Sequence, residues 1–198
     1  MSAADAGSTL ALVPPRQDRR DAAVVELLRR GDPDAVGRVY DQHHGAVRSL
    51  ARRLVGDDAA AEDLVHEVFV SLPGAMRRFQ GESALQTFIL SIAVNHARHH
   101  IRAATRRRAA MSQLALEPPA SPPDPEHQAG RAALAGALRR ALDQLPNDQR
   151  VAFVLCEVEE RTSREAAEIV GAPEATVRTR LHHARLKLRA ALDKEGFR

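Results

Sequence analysis

TSREAAEIVGAPEATVRTRLHHARLKLRAAL, residues 162–192, encodes two helices and the turn between them in its spacing. Thr162 and Glu165 form a capping-box pattern: a hydroxyl caps the helix start and a carboxylate three residues on reaches back. A short helix follows over 163–170, with Ala166, Ala167 and Ile169 or Val170 as its inward face. Such small residues let a second helix cross closely. Gly171 supplies the left-handed conformation that ends the first helix. Pro173 suits the first turn of the second. That helix turns Val177, Leu181, Ala184 and Leu188 inward at spacings of four, three and four.

The other faces of the second helix carry Arg178, Thr179, Arg180, His182, His183, Arg185, Lys187 and Arg189. Between Thr176 and Ala190 stand five Arg or Lys and no acid. A capped helix, a glycine turn and a basic helix make a helix-turn-helix. Its second helix fits the major groove, with N-terminal side chains on base edges and the basic flank on phosphates. An amphipathic helix lying solvated in a bundle would show the same basic face, so the preceding helix and turn carry the DNA-binding reading.

Proline ends this half of the chain. EPPASPPDP, residues 117–125, holds five prolines, each lacking the N–H a helix interior needs. It is an extended linker. The expected organisation is a disordered N-terminal tail at 1–21, a helical block at 22–110, the linker at 111–130 and a second helical block at 131–195. The fold class is therefore all-α, two small helical domains. Aromatics are only 3% of the chain, so the cores are built from Leu, Val, Ile and Ala, which favours helices.

In the first block, Gly31-Asp32-Pro33 and Gly56-Asp57-Asp58 interrupt the apolar periodicity. From Ala59 to Leu72, the residues Leu64, Val65, Val68, Phe69 and Leu72 share one helical face, and Pro73-Gly74 is read as the end. A later helix is expected from about Ala84 to Arg107. Ser83 and Gln86 make its capping box, and Phe88, Ile89, Ile92 and Ala93 its buried face. In the second block, Leu134, Leu138, Ala141, Leu142 and Leu145 mark a helix stopped at Pro146, followed by another over about Asp148 to Glu159.

The formal net charge of +3 does not identify a nucleic-acid binder, so the distribution of charge must decide. Asp57, Asp58, Glu62, Asp63 and Glu67 cluster without Lys or Arg between them, whereas Arg98, Arg102, Arg106, Arg107 and Arg108 occupy an acid-free stretch. Ser91, Asn95, Arg98, His99 and Arg102 fall on one polar stripe. Asn offers a base paired donor and acceptor atoms; Arg offers charge and a stacking plane. A basic helix C-terminus would be favoured by the macrodipole in any case.

Other classes find less support. One cysteine, Cys156, in the apolar run Val151–Cys156, excludes an internal disulfide and reads as a buried thiol. No run is apolar enough to span a bilayer, and the N-terminal basic residues follow the short apolar patch, the wrong order for a secretory signal. His96, His99 and His100 could set two imidazoles on one metal, but no carboxylate or cysteine accompanies them in the same stretch and the neighbouring arginines would repel a cation. No nucleophile–base pair or phosphate-binding glycine loop is present. A dimeric helix-turn-helix regulator remains an alternative. It finds no receiver-like strands in the first block and no dimerisation helix.

Three stretches taken together resemble the extracytoplasmic-function RNA polymerase sigma factors. They are AAAEDLVHEVFVSL, RFQGESALQTFILSIAVNHARHHIRAATRRR and LDQLPNDQRVAFVLCEVEERTSREAAEIVGAPEATVRTRLHHARLKLRAAL. The likeness covers about residues 22–108 and 131–192 and departs from the family pattern at Phe88, Ser91 and His183. It implies that the first block is sigma region 2 and the second region 4. Asp63, His66, Glu67 and Val70 would dock on the clamp helices of core RNA polymerase. The loop Phe79, Gln80, Gly81, Glu82 and Ser83 would capture a flipped base of the −10 element, with Asn95, Arg98, His99 and Arg102 facing the non-template strand and upstream duplex. Thr176, Arg178, Thr179, His182, His183 and Arg185 would read the −35 element. The implied partners are core RNA polymerase, promoter DNA and, where one exists, an anti-sigma factor. No catalysis, cofactor, metal, small-molecule substrate or membrane insertion is implied, and the place of action is the cytoplasm.

Overall fold

The computed structural model describes residues 16–114 and 129–197, with side chains described over 22–107 and 133–197. Residues 1–15 of the expected tail and 115–128 of the expected linker lie outside the described residues. The described residues form helices joined by short turns and loops, without a strand: α1 (Arg16–Arg29), α2 (Pro33–Val55), α3 (Asp58–Met76), α4 (Leu85–Leu114), α5 (Ala129–Asp143), α6 (Asn147–Phe153), a π turn (Val154–Val158), α7 (Ser163–Val170) and α8 (Glu174–Lys194). Residues 16–21 are thus part of α1 and not of a tail. Residues 111–114 are helical and not linker: they continue α4, where Met, Gln and Leu extend the helix-favouring Ala- and Arg-rich run before them, and residues 129–130 open α5.

Local chemistry sets most boundaries. The Asp32 side chain accepts the Ala35 N–H at 2.8 Å and Pro33 opens α2, which Gly56 closes at φ 74°. Asp57 caps α3 in the same way, through the Ala60 N–H at 2.8 Å. Two expected boundaries are corrected. Pro73 lies inside α3, which runs on to Met76. A proline this near the end forfeits one backbone bond, whereas continuing the helix buries Met76 completely. Arg29 of α1 then satisfies the end, its guanidinium donating to the carbonyls of Met76 and Phe79. At α4, the Phe88 N–H bonds the Ala84 carbonyl, so Ala84 holds the cap position. Ser83 lies one residue too early for the expected capping box, and its hydroxyl donates to the Ala84 carbonyl instead.

The expected helix over 148–159 is also revised. It begins at Asn147 and widens into the π turn after Phe153. Glu160 follows in the left-handed region at φ 54°. A non-glycine residue rarely takes that conformation, and backbone bonds on both sides fix it here: the Glu159 N–H donates to the Val154 carbonyl and the Arg161 N–H to the Leu155 carbonyl, each at 2.9 Å.

The helix-turn-helix forms as the spacing predicts. The Thr162 hydroxyl accepts the Glu165 N–H at 3.2 Å, and the Glu165 carboxylate accepts the Thr162 N–H at 2.8 Å. Gly171 adopts φ 64°, and Pro173 serves as the cap residue before α8. Val177, Leu181, Ala184 and Leu188 are all buried. The hydrogen bonds from Thr162 hold the Glu165 carboxyl below its usual range. The contribution of this interaction is therefore present at neutral pH and lost as pH falls through that lowered value. Thr162→Ala should cost about 1 kcal/mol in chemical denaturation; an unchanged midpoint would contradict the capping role.

The two halves pack together. One continuous core runs from Val25 and Leu28 of α1 through α2, α3 and α4 to Val151, Leu155, Ala166, Ile169, Val177 and Leu181. A smaller cluster joins α5 to α8 through Ala141, Leu145, Ala184 and Leu188. Helix α4 lies against α6 and α7, and α2 against the π turn.

Candidate nucleic-acid interface

Helix α8 presents its expected reading face outward. Arg178, Thr179, His182, His183 and Arg185 are exposed, and Thr176 is half-buried in the first turns. Each arginine is held by an acid: Arg178 Nε bonds Glu174 at 3.2 Å, and Arg185 pairs with Glu157 of the π turn. The Thr179 hydroxyl donates to the Ala175 carbonyl at 3.0 Å. These exposed pairs are weak, so both guanidinium groups can exchange a carboxylate for a phosphate or a base edge at little cost.

On α4, Asn95, His99 and Arg102 are exposed along the predicted stripe. Arg98 is drawn in. It donates to Asn95 Oδ1 at 3.3 Å and pairs with Asp148 of α6 at 3.0 Å, leaving its side chain 16% exposed. In the preceding loop, Gln80, Gly81 and Glu82 are exposed, with Gly81 at φ 79°, and Ser83 is half-buried. Phe79 is not on that surface. It is buried, its ring 4.7 Å from that of Phe88. Phe88 itself is only half-buried, which corrects its expected place in the core. In a chain this poor in aromatics, the two rings pack on one another beneath the loop.

The acidic face lies on α3. Asp63, His66, Glu67 and Val70 are all exposed, with Val70 at 67%, and their spacing puts them on one side of the helix. Among the described residues Asp63 makes no ion pair. Glu67 does: His96 Nδ1 and His100 Nε2 approach its Oε2 at 3.1 and 3.2 Å, and Ser71 Oγ lies 3.2 Å from His96 Nε2. The carboxylate missing beside these histidines in the sequence thus arrives from another helix. Among the described residues, no group of three or more His, Cys, Asp or Glu is arranged to hold a metal ion. Cys156 is half-buried, and burial followed by the Glu157 charge pushes its thiol up, away from the reactive thiolate.

Two features escaped the sequence reading. Arg150 is buried to 2% exposure and paired with Asp143 at 2.6 Å. Asp148 bridges Arg98 and Arg180, the latter at 2.8 Å. Nothing in the local pattern around residues 143–150 signals either, since each partner depends on how helices meet.

No described helix is long and apolar enough to cross a membrane. Family models for sigma-70 region 2 and sigma-70 region 4 match residues 39–107 and 135–188. The ECF RNA polymerase sigma-E factor of Escherichia coli is 31% identical over 175 residues, 83% of this chain and 90% of that protein. The RNA polymerase sigma-H factor of Pseudomonas aeruginosa is 29% identical over 181 residues, 87% and 94% of the two chains. Among solved structures, CnrH in complex with the cytosolic domain of CnrY matches with a TM-score of 0.59 at 23% identity, over 90% of this chain and 98% of that one. The sigma factor RpoE, in complex with the anti-sigma factor NepR from Bartonella quintana, matches with a TM-score of 0.55 at 24% identity, over 79% and 96%. Those two likenesses concern the fold. With a region 2 bundle, a region 4 helix-turn-helix and relatives aligned over most of its length, the chain belongs to the extracytoplasmic-function family of RNA polymerase sigma factors and serves promoter recognition and transcription initiation.

Proposed function

We propose that the chain acts as an initiation factor without chemistry of its own, using three faces in one cycle. Asp63, His66, Glu67 and Val70 dock on core polymerase, an exposed valine among charges being suited to a protein interface. Thr176, Arg178, Thr179, His182, His183 and Arg185 read the −35 element. Gln80, Gly81, Glu82, Ser83, Asn95, Arg98, His99 and Arg102 hold the melted −10 element, while Phe79 supports their loop from beneath. Region 2 function is assigned to 22–110 and region 4 function to 131–195. The chain works in the cytoplasm without cofactor, metal, small-molecule substrate or membrane insertion. An anti-sigma factor, such as the one bound to RpoE, would act by covering these faces.

The observation that carries this reading is the exposed, acid-tethered arginine face of α8 directly after a capped helix and a left-handed glycine turn. The docking face is tested by Asp63→Arg. Reversing a charge that makes no ion pair among the described residues should weaken core affinity at low salt by about tenfold and leave the melting temperature unchanged. Equal affinity for core polymerase would move the dock elsewhere.

A further inference from the structure

The two DNA-reading halves are closed on one another, and the contacts at the seam are ionic as well as apolar. Arg53 of α2 donates to the Val158 carbonyl at 2.8 Å and to Glu159 Oε1 at 2.7 Å, and the Ser49 hydroxyl donates to the same carboxylate at 3.3 Å. Across the other side of the seam stands Asp148. Its Oδ1 meets Arg98 of α4 at 3.0 Å, and its Oδ2 meets Arg180 of α8 at 2.8 Å. One carboxylate therefore occupies an arginine from the −10 stripe and an arginine from the recognition helix together. Two oxygens sharing one negative charge are what a backbone phosphate would present to the two guanidinium groups.

The closed arrangement cannot serve on a promoter. Elements near −10 and −35 lie about 25 base pairs apart, or about 85 Å along B-form DNA. A compact chain of this length has a radius of gyration of about 16 Å. Both elements can be engaged only after the halves separate, and the 14 residues from 115 to 128 could span about 45 Å when extended. The Arg98 site is also incompletely satisfied: its Nε is buried and has no hydrogen-bond partner among the described residues. An unmet donor on a largely buried cation weakens the closed state and favours exchange for a better anion.

We propose that Asp148 is an intramolecular phosphate mimic that latches region 4 onto region 2 in the DNA-free chain and is displaced by promoter phosphates when the halves part. The proposal rests on the sigma reading above. It deepens that reading by giving the chain its own brake on DNA binding, separate from any partner.

The test uses the full chain without polymerase. Asp148→Asn keeps the side-chain shape and removes the charge. It should raise the radius of gyration in small-angle X-ray scattering and strengthen low-salt binding to duplex DNA severalfold. Arg98→Gln, on the other half, should raise the radius to the same extent, and the double variant should go no further than either single one. Circular dichroism establishes that each variant is folded; if Asp148→Asn is not, the radius of Arg98→Gln decides. Unchanged radii overturn the latch. A larger radius with unchanged DNA affinity overturns the phosphate mimicry. Core-dependent transcription by the unaltered chain, measured in parallel, reports separately on the sigma reading.

Discussion

Asp143→Ala is expected to destabilise the fold by about 3 kcal/mol, the cost of leaving a buried guanidinium without its counter-charge. Arg150 sits between α5, α6 and the end of α2: its carboxylate partner closes α5, and its Nη2 lies 3.7 Å from where a Cβ on Gly56 would be. Among the described residues its Nε already lacks a hydrogen bond, so little is left to compensate when the 2.6 Å bond to Asp143 is removed. The expected shift in melting temperature is about 6–12 °C, followed by the helical circular dichroism signal. Arg150→Met should cost less, because it removes the deeply buried charge and leaves behind Asp143, whose side chain is 30% exposed and can be solvated by water. If Asp143→Ala and Arg150→Met lose the same small amount, the pair is not what holds this junction.

Arg178→Ala should lower promoter-specific binding by the polymerase holoenzyme about 10- to 100-fold, the range for losing one good bidentate base contact. Core affinity should be unchanged, since Arg178 is exposed on α8 and its internal partner is Glu174, one turn earlier. The loss should also relax discrimination at a single −35 position. A phosphate contact would instead weaken all sequences evenly and reduce the salt dependence. Measuring affinity against a set of single-base −35 variants at fixed salt separates these cases. Equal loss on every sequence would reassign Arg178 to the backbone.

What could be read in advance is what local chemistry controls. The Thr162–Glu165 box, the left-handed Gly171 and the four inward residues of α8 each involve partners within a turn or two, and each formed as spacing predicts. The misreadings share one cause. Pro73 reads as an end from its own chemistry, but the reward for continuing comes from the burial of Met76 against other helices. Ser83 satisfies the motif but sits one residue from the real cap. Phe79 belongs to a loop word that suggests DNA, and its ring belongs to the core.

The acid–base partners were the least legible. Glu67 reaches His96 and His100 from 29 and 33 residues away, and Asp148 reaches Arg98 from the other half of the chain. Charge sorting along the sequence revealed the faces but not the pairs. The π turn is equally silent, because Val154–Val158 reads as ordinary helix until its packing against α2 is known. The resemblance to sigma factors identified two units in order across a linker; it did not indicate that they would share one core.

In vitro transcription with core RNA polymerase over a genomic DNA library tests the central claim most directly. Adding the purified chain should produce transcripts absent with core alone, starting downstream of a shared pair of −35 and −10 sequences, and the Asp63→Arg and Arg178→Ala variants should reduce their yield. No new transcript from any fragment, with the chain folded and bound to core, would contradict the account.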